Sequence, residues 1–196
     1  MAVIPNFLSL LRLGLVPVLL LLAWNELAQI FLFSLILSLI TDAADGYLAR
    51  RLNATSPLGA KLDSWADFTT TLALPFCAWW LRPDAIRAEA VAIGVAVFFY
   101  VAPIVIGFLK FRRLTSYHTW LAKTCAVVLA VVVVVFFAGG PGWPWRVLAP
   151  LVVICGLEEI AITVLFREWR ANVPTLWHAR EIKRARATVK PASDAR

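Results

Sequence analysis

Six times along the chain, about twenty residues pass with little interruption by charge, which is the length an α-helix needs to cross a bilayer. These runs cover roughly residues 5–24, 28–50, 59–82, 86–109, 116–138 and 146–168. The breaks between them carry turn chemistry. They are Asn25-Glu26, Asn53 to Pro57, Arg82-Pro83-Asp84, the basic stretch Lys110 to Arg113, and Gly139-Gly-Pro-Gly142. Of the 196 residues, 61% are hydrophobic and 16% charged, against about a quarter charged in a soluble domain. That composition excludes disorder and argues against a water-soluble globule. The expected fold is an all-α integral membrane protein with six transmembrane helices. The first run is expected to stay as a span and not to be cleaved, because it is long, carries Arg12 and lacks a small-residue cleavage site. Residues 1–170 read as one membrane domain, and residues 171–196 as a basic cytoplasmic tail. Cys77, Cys125 and Cys155 lie in apolar runs at no metal-binding spacing and read as core thiols.

The net charge of +7 admits nucleic acid, anionic lipid or a phosphorylated substrate as partner, and the placement of the charge decides. An even number of spans puts both termini on one side. Of the nineteen basic residues, all but Arg82, Arg87 and Arg146 fall on that side. By the positive-inside rule both termini are cytoplasmic, and no nucleic-acid partner is expected. Trp24, Trp79, Trp80, Trp143 and Trp145 then mark the opposite boundary as an aromatic belt.

Against this background one segment is anomalous. It reads Asp42-Ala-Ala-Asp45-Gly46-Tyr-Leu-Ala49-Arg50, then eight residues, then Gly59-Ala-Lys-Leu-Asp63-Ser-Trp-Ala-Asp67. Asp42 and Asp45 share one helical face, as do Asp63 and Asp67. A short loop makes the two helices antiparallel neighbours, so the four carboxylates converge below the cytoplasmic surface. Each costs about 2.5–3.5 kcal/mol at a helix centre on insertion scales. Arg50, Arg51 and Lys61 cannot neutralise all four from the rim. Bound divalent cations would, and all-oxygen ligands favour Mg²⁺ or Mn²⁺. Gly46, Ala49 and Gly59 lie on the faces of the acids and leave room for helix contact or for a flat ligand.

The string Asp-x2-Asp-Gly-x2-Ala-Arg-x8-Gly-x3-Asp-x3-Asp resembles, at every fixed position, the signature of the CDP-alcohol phosphatidyltransferase family. The opening Ile4-Pro5-Asn6-Phe-Leu-Ser-Leu-Leu-Arg12 is similar to the start of bacterial phosphatidylglycerophosphate synthases. The chain departs from those synthases in having Ser64 after the third acid and Phe68 after the fourth. The resemblance implies transfer of a phosphatidyl group from CDP-diacylglycerol to an alcohol, with release of CMP, in phospholipid biosynthesis at the inner membrane. It further implies metal binding by Asp42, Asp45 and Asp63, and general-base catalysis by Asp67, which also serves as a possible ligand of a second ion. CDP binding would fall to Asp45, Gly46, Ala49, Arg50, Gly59 and Asp63. A homodimer is the family expectation. Glycerol 3-phosphate is the leading acceptor, followed by inositol phosphate, phosphatidylglycerol (a cardiolipin synthase) and serine.

Outside the signature, Lys123, Arg113, His118, Glu158 and Arg167 are acceptor-binding candidates at or below the cytoplasmic mouth. Lys123 and the pair Glu158-Glu159 read equally well as a buried ion pair that fixes helix packing. The basic residues of the mouth also serve topology and contact with anionic lipid. A reading from a different class, a divalent-cation channel or carrier, uses the four acids as an ion site. It leaves Gly46, Ala49 and Arg50 without a role.

Overall fold

The computed structural model describes residues 3–51, 57–112 and 119–166, together with Thr175 and Trp177. Within them the chain is helical, with seven helices and no strand: α1 (Val3–Trp24), α2 (Ala28–Arg51), α3 (Pro57–Leu81), α4 (Pro83–Ala88), α5 (Ala90–Phe111), α6 (Trp120–Phe137) and α7 (Pro144–Leu165). Three of them, α5, α6 and α7, are long and apolar enough to cross a membrane along their whole length. In α1 and α2 the apolar part is shorter, Ser9–Trp24 and Ala28–Ala44. The protein is therefore an all-helical protein of membrane type. The expected fourth span differs in one respect. Its first residues form the separate helix α4, which Pro83 starts and Glu89 caps, before α5 begins at Ala90.

Contacts divide the chain into two compact units, one from Met1–Ile93 and Ala130–Arg146, the other from Gly94–Leu129 and Val147–Arg196. In the first unit α1 packs along both α2 and α3. Its buried face is Ser9, Arg12, Val16, Leu19 and Ala23, a three-four repeat that makes one continuous stripe. The stripe on α2 is Phe31, Leu35 and Ser38, and continuing it by four residues reaches Asp42. On α3, Ala66, Ala73 and Cys77 are buried, and Asp63 stands three residues before Ala66. The charged residues of the candidate site thus sit in register with the packing faces of their helices.

Two helix ends in this unit show the same turn. After α1, the Leu27 N–H donates to the Leu22 carbonyl at 2.9 Å and the Glu26 N–H to Ala23 at 3.0 Å, with Glu26 at φ 58°. After α6, the Gly140 N–H donates to Val135 at 2.9 Å and the Gly139 N–H to Phe136 at 3.2 Å, with Gly139 at φ 90°. Both are Schellman endings, which need a left-handed residue after the cap. Arg82 braces the second turn by donating to the Phe136 carbonyl, and to that of Gly140 at 2.8 Å. Glu89, buried, accepts from Arg146 Nε at 2.8 Å. Trp24 and Trp80 meet edge to face with ring centres 5.1 Å apart. Trp145 is buried against Phe136, its ring filling the space beside α6.

In the second unit Thr119 caps α6, its hydroxyl accepting from the Ala122 N–H at 3.0 Å. Lys110 Nζ donates to the Thr163 and Val164 carbonyls at 2.8 and 3.2 Å, at the end of α7 where a cation suits the helix dipole. Gly156 lies so close to Phe99 that an added methyl carbon would stand 2.5 Å from the Phe99 carbonyl oxygen. All three cysteines are free and buried, as expected of core thiols.

Candidate active site

The stripe register determines which charged groups meet. Arg12 projects from the packed face of α1, between the helices that carry the acids, and is 4% exposed. Its Nη1 donates to Asp42 Oδ1 on α2 and, at 2.8 Å, to Asp67 Oδ1 on α3. Its Nη2 donates to Asp63 Oδ1. One guanidinium therefore ties two helices to a third through three carboxylates, with Nη1 reaching both α2 and α3 and Nη2 adding a second bond to α3. The acids themselves are accessible, with side-chain exposures of 41%, 40% and 48% for Asp42, Asp63 and Asp67. The cluster is lined by protein on the Arg12 side and open on the other.

Three of the four expected carboxylates are thus brought together. Asp42, Asp63 and Asp67 each offer an oxygen, and these lie within 4.8 Å of one another. A hexacoordinate Mg²⁺ with bonds of about 2.0–2.1 Å holds its oxygens about 3–4.2 Å apart, so the set needs to close by a fraction of an ångström. The donors are all oxygen and all anionic, so they fit a hard divalent cation. Asp45, Gly46, Ala49 and Arg50 are described as helical backbone of α2 only, and Gly59 as a partly buried residue in the first turn of α3.

Of the acceptor candidates, Arg113, His118 and Arg167 lie outside the described residues. Lys123 and Glu158 belong to the second unit. Lys123 is exposed on α6 with Nζ 5.0 Å from the centre of the Trp120 ring, which speaks against the buried ion pair, one of the two readings of this lysine. The aromatic face and the surface of α6 accommodate its long stem. Glu158 and Glu159 are half-buried on α7.

Arg12 is the residue that the expected set lacks. Topology gave it a role as a basic residue on the cytoplasmic side, whereas the structure makes it the counter-ion of the acids. A signal for it exists in the sequence. Position 12 lies three residues after Ser9 and four before Val16, in the core repeat of α1.

The arrangement combines a buried arginine, a carboxylate triad open on one side and a signature string across α2 and α3. Comparison with known proteins agrees with it. The chain matches the CDP-alcohol phosphatidyltransferase family over residues 2–165, and it belongs to that family. It is 42% identical over 69 residues to a CDP-diacylglycerol--glycerol-3-phosphate 3-phosphatidyltransferase of Pseudomonas fluorescens, which covers 33% of this chain and 34% of the relative. It is 31% identical over 99 residues to a protein of Mycobacterium tuberculosis named "Putative cardiolipin synthase", covering 46% of this chain and 47% of that one. The matched parts are thus a third to a half of the length of these curated relatives. No solved structure matches the chain.

Proposed function

We propose that the protein transfers a phosphatidyl group from CDP-diacylglycerol to a polar alcohol and releases CMP, with glycerol 3-phosphate as acceptor. The observation that carries this reading is the convergence of Asp42, Asp63 and Asp67, oxygens within 4.8 Å, in a chain of this family. The name of the Pseudomonas relative supports the acceptor. The name of the Mycobacterium relative favours a second reading, phosphatidylglycerol as acceptor. Inositol phosphate and serine follow them.

In this reading the acceptor hydroxyl oxygen attacks the β-phosphorus of the donor, the bond from that phosphorus to the CMP oxygen breaks, and CMP leaves. Asp67 takes the hydroxyl proton as the new P–O bond forms. Asp42, Asp45 and Asp63, with Asp67, would hold two divalent cations, Mg²⁺ or Mn²⁺. When bound, such ions supply neutralisation of the diphosphate and of the departing phosphate. Gly46, Ala49 and Gly59 leave space for the cytidine side, and Arg50 suits a phosphate oxygen. Lys123, Glu158, Arg113, His118 and Arg167 remain the candidates for acceptor binding.

The same reading includes six spans over residues 1–170, a basic tail over 171–196, cytoplasmic termini and an inner-membrane site facing the cytoplasm in a homodimer. It leaves a cation channel with no use for the small residues of the signature. The test is purified protein with CDP-diacylglycerol and a panel of labelled alcohols, the lipid product being identified by mass spectrometry. Phosphatidylglycerophosphate as the main product is the expected result. Cardiolipin from phosphatidylglycerol would move the assignment to the second reading, and no lipid product from any alcohol would refute both.

A further inference from the structure

We propose that Arg12 is a tethered counter-ion that stands in for the divalent cation and competes with it for the same carboxylates. This rests on the metal-binding part of the function proposed above. Arg12 is a positioning residue in this account.

The three aspartates are held by one cation that already belongs to the chain. Asp42, Asp63 and Asp67 each direct Oδ1 to the Arg12 guanidinium, and those residues are the three whose oxygens gather within 4.8 Å. Three carboxylates so close repel one another, even where their outer oxygens are exposed. A cation among them relieves that repulsion and lets α2 and α3 rest against α1 as they do. Without metal, Arg12 is that cation. It is 4% exposed and locked in the Ser9–Val16 stripe, so it cannot swing into solvent as a rim arginine does. The carboxylates are 40–48% exposed and open on the other side, so an ion can approach without crossing the guanidinium. An entering ion then meets a site whose oxygens are already engaged and a positive charge in contact with them. Arg12 stabilises the metal-free protein and, by the same contacts, weakens the binding of metal.

The test uses full-length protein in detergent micelles, with Mn²⁺ affinity read by the electron paramagnetic resonance of free Mn²⁺ and stability read by thermal melting in EDTA. Arg12→Met keeps the length of the stem and removes the charge. It should bind Mn²⁺ about tenfold more tightly than wild type, the effect of relieving one close like-charge repulsion. It should melt lower in EDTA and recover in saturating Mn²⁺. Arg12→Gln, neutral but still able to donate to one carboxylate, should likewise bind Mn²⁺ more tightly and melt lower in EDTA, and it decides the matter if Arg12→Met does not fold. Mn²⁺ affinity that is unchanged or weaker in whichever variant folds overturns the competition. Absence of Mn²⁺ binding in wild type and variants alike overturns the metal reading itself, so the two failures are told apart.

Discussion

In the proposed reaction the chemistry turns on Asp67, the carboxylate that would accept the proton of the attacking hydroxyl. Asp67→Asn keeps the size and one acceptor oxygen but cannot take that proton. The expected outcome is a fall in CMP release of about 10²–10⁴-fold, the usual contribution of general-base catalysis. A variant that turns over at the wild-type rate with each acceptor would remove Asp67 from that role. The site was legible at this scale because charge is conspicuous in an apolar run: Asp42, Asp63 and Asp67 stand out, and their helical spacing already puts them on shared faces. What was not legible is how they are neutralised. The basic residues near them in sequence are Arg50, Arg51 and Lys61, whereas the partner the structure supplies is Arg12, 30 residues before Asp42 and 55 before Asp67. Proximity along the chain points to those cations, and it is the packing of α1 against α2 and α3 that brings Arg12 in.

At the scale of the elements, the two Schellman endings make a matched pair. Gly139 adopts φ 90° without cost, whereas Glu26 holds φ 58° with a side chain. Glu26→Gly should therefore stabilise the protein by about 1 kcal/mol, and Gly139→Ala should destabilise it by a similar amount. Unfolding in mixed micelles with increasing dodecyl sulfate measures both, and a loss of stability in Glu26→Gly would show that its carboxylate matters more than its backbone. Gly156 and Gly94 give a second contrast. Gly156→Ala places a carbon 2.5 Å from the Phe99 carbonyl oxygen and should cost about 1–3 kcal/mol. Gly94→Ala meets nothing within 4 Å and should be neutral or stabilising by about 0.5–1 kcal/mol in the same assay. Helix boundaries were largely readable from Pro, Gly and Asn at the breaks. The exception is α4, because a six-residue helix is too short to show a period of its own, and Pro83 marks equally a turn or a first helical position.

Over the whole molecule, the charge asymmetry and the apolar runs predict how the chain lies in the membrane, and the buried native thiols make that testable. Cys77, Cys125 and Cys155 are shielded, so a single introduced cysteine reports its own side. Ser56→Cys and Ser193→Cys should react with an impermeant maleimide only after the cytoplasmic face is opened, and Pro141→Cys should react from the outer face of intact cells. A reversed pattern would invert the orientation argued from Arg82, Arg87 and Arg146. The central claim is narrower: Asp42, Asp63 and Asp67 form a divalent-cation site that transfers a phosphatidyl group. CMP release from CDP-diacylglycerol with glycerol 3-phosphate, followed across a Mn²⁺ titration in wild type and in Asp63→Asn, tests it most directly. The account expects release that is absent in EDTA, rises to saturation with Mn²⁺ in wild type, and is lost or needs far more Mn²⁺ in Asp63→Asn. Release that persists in EDTA, or that follows the same Mn²⁺ curve in both proteins, would contradict it.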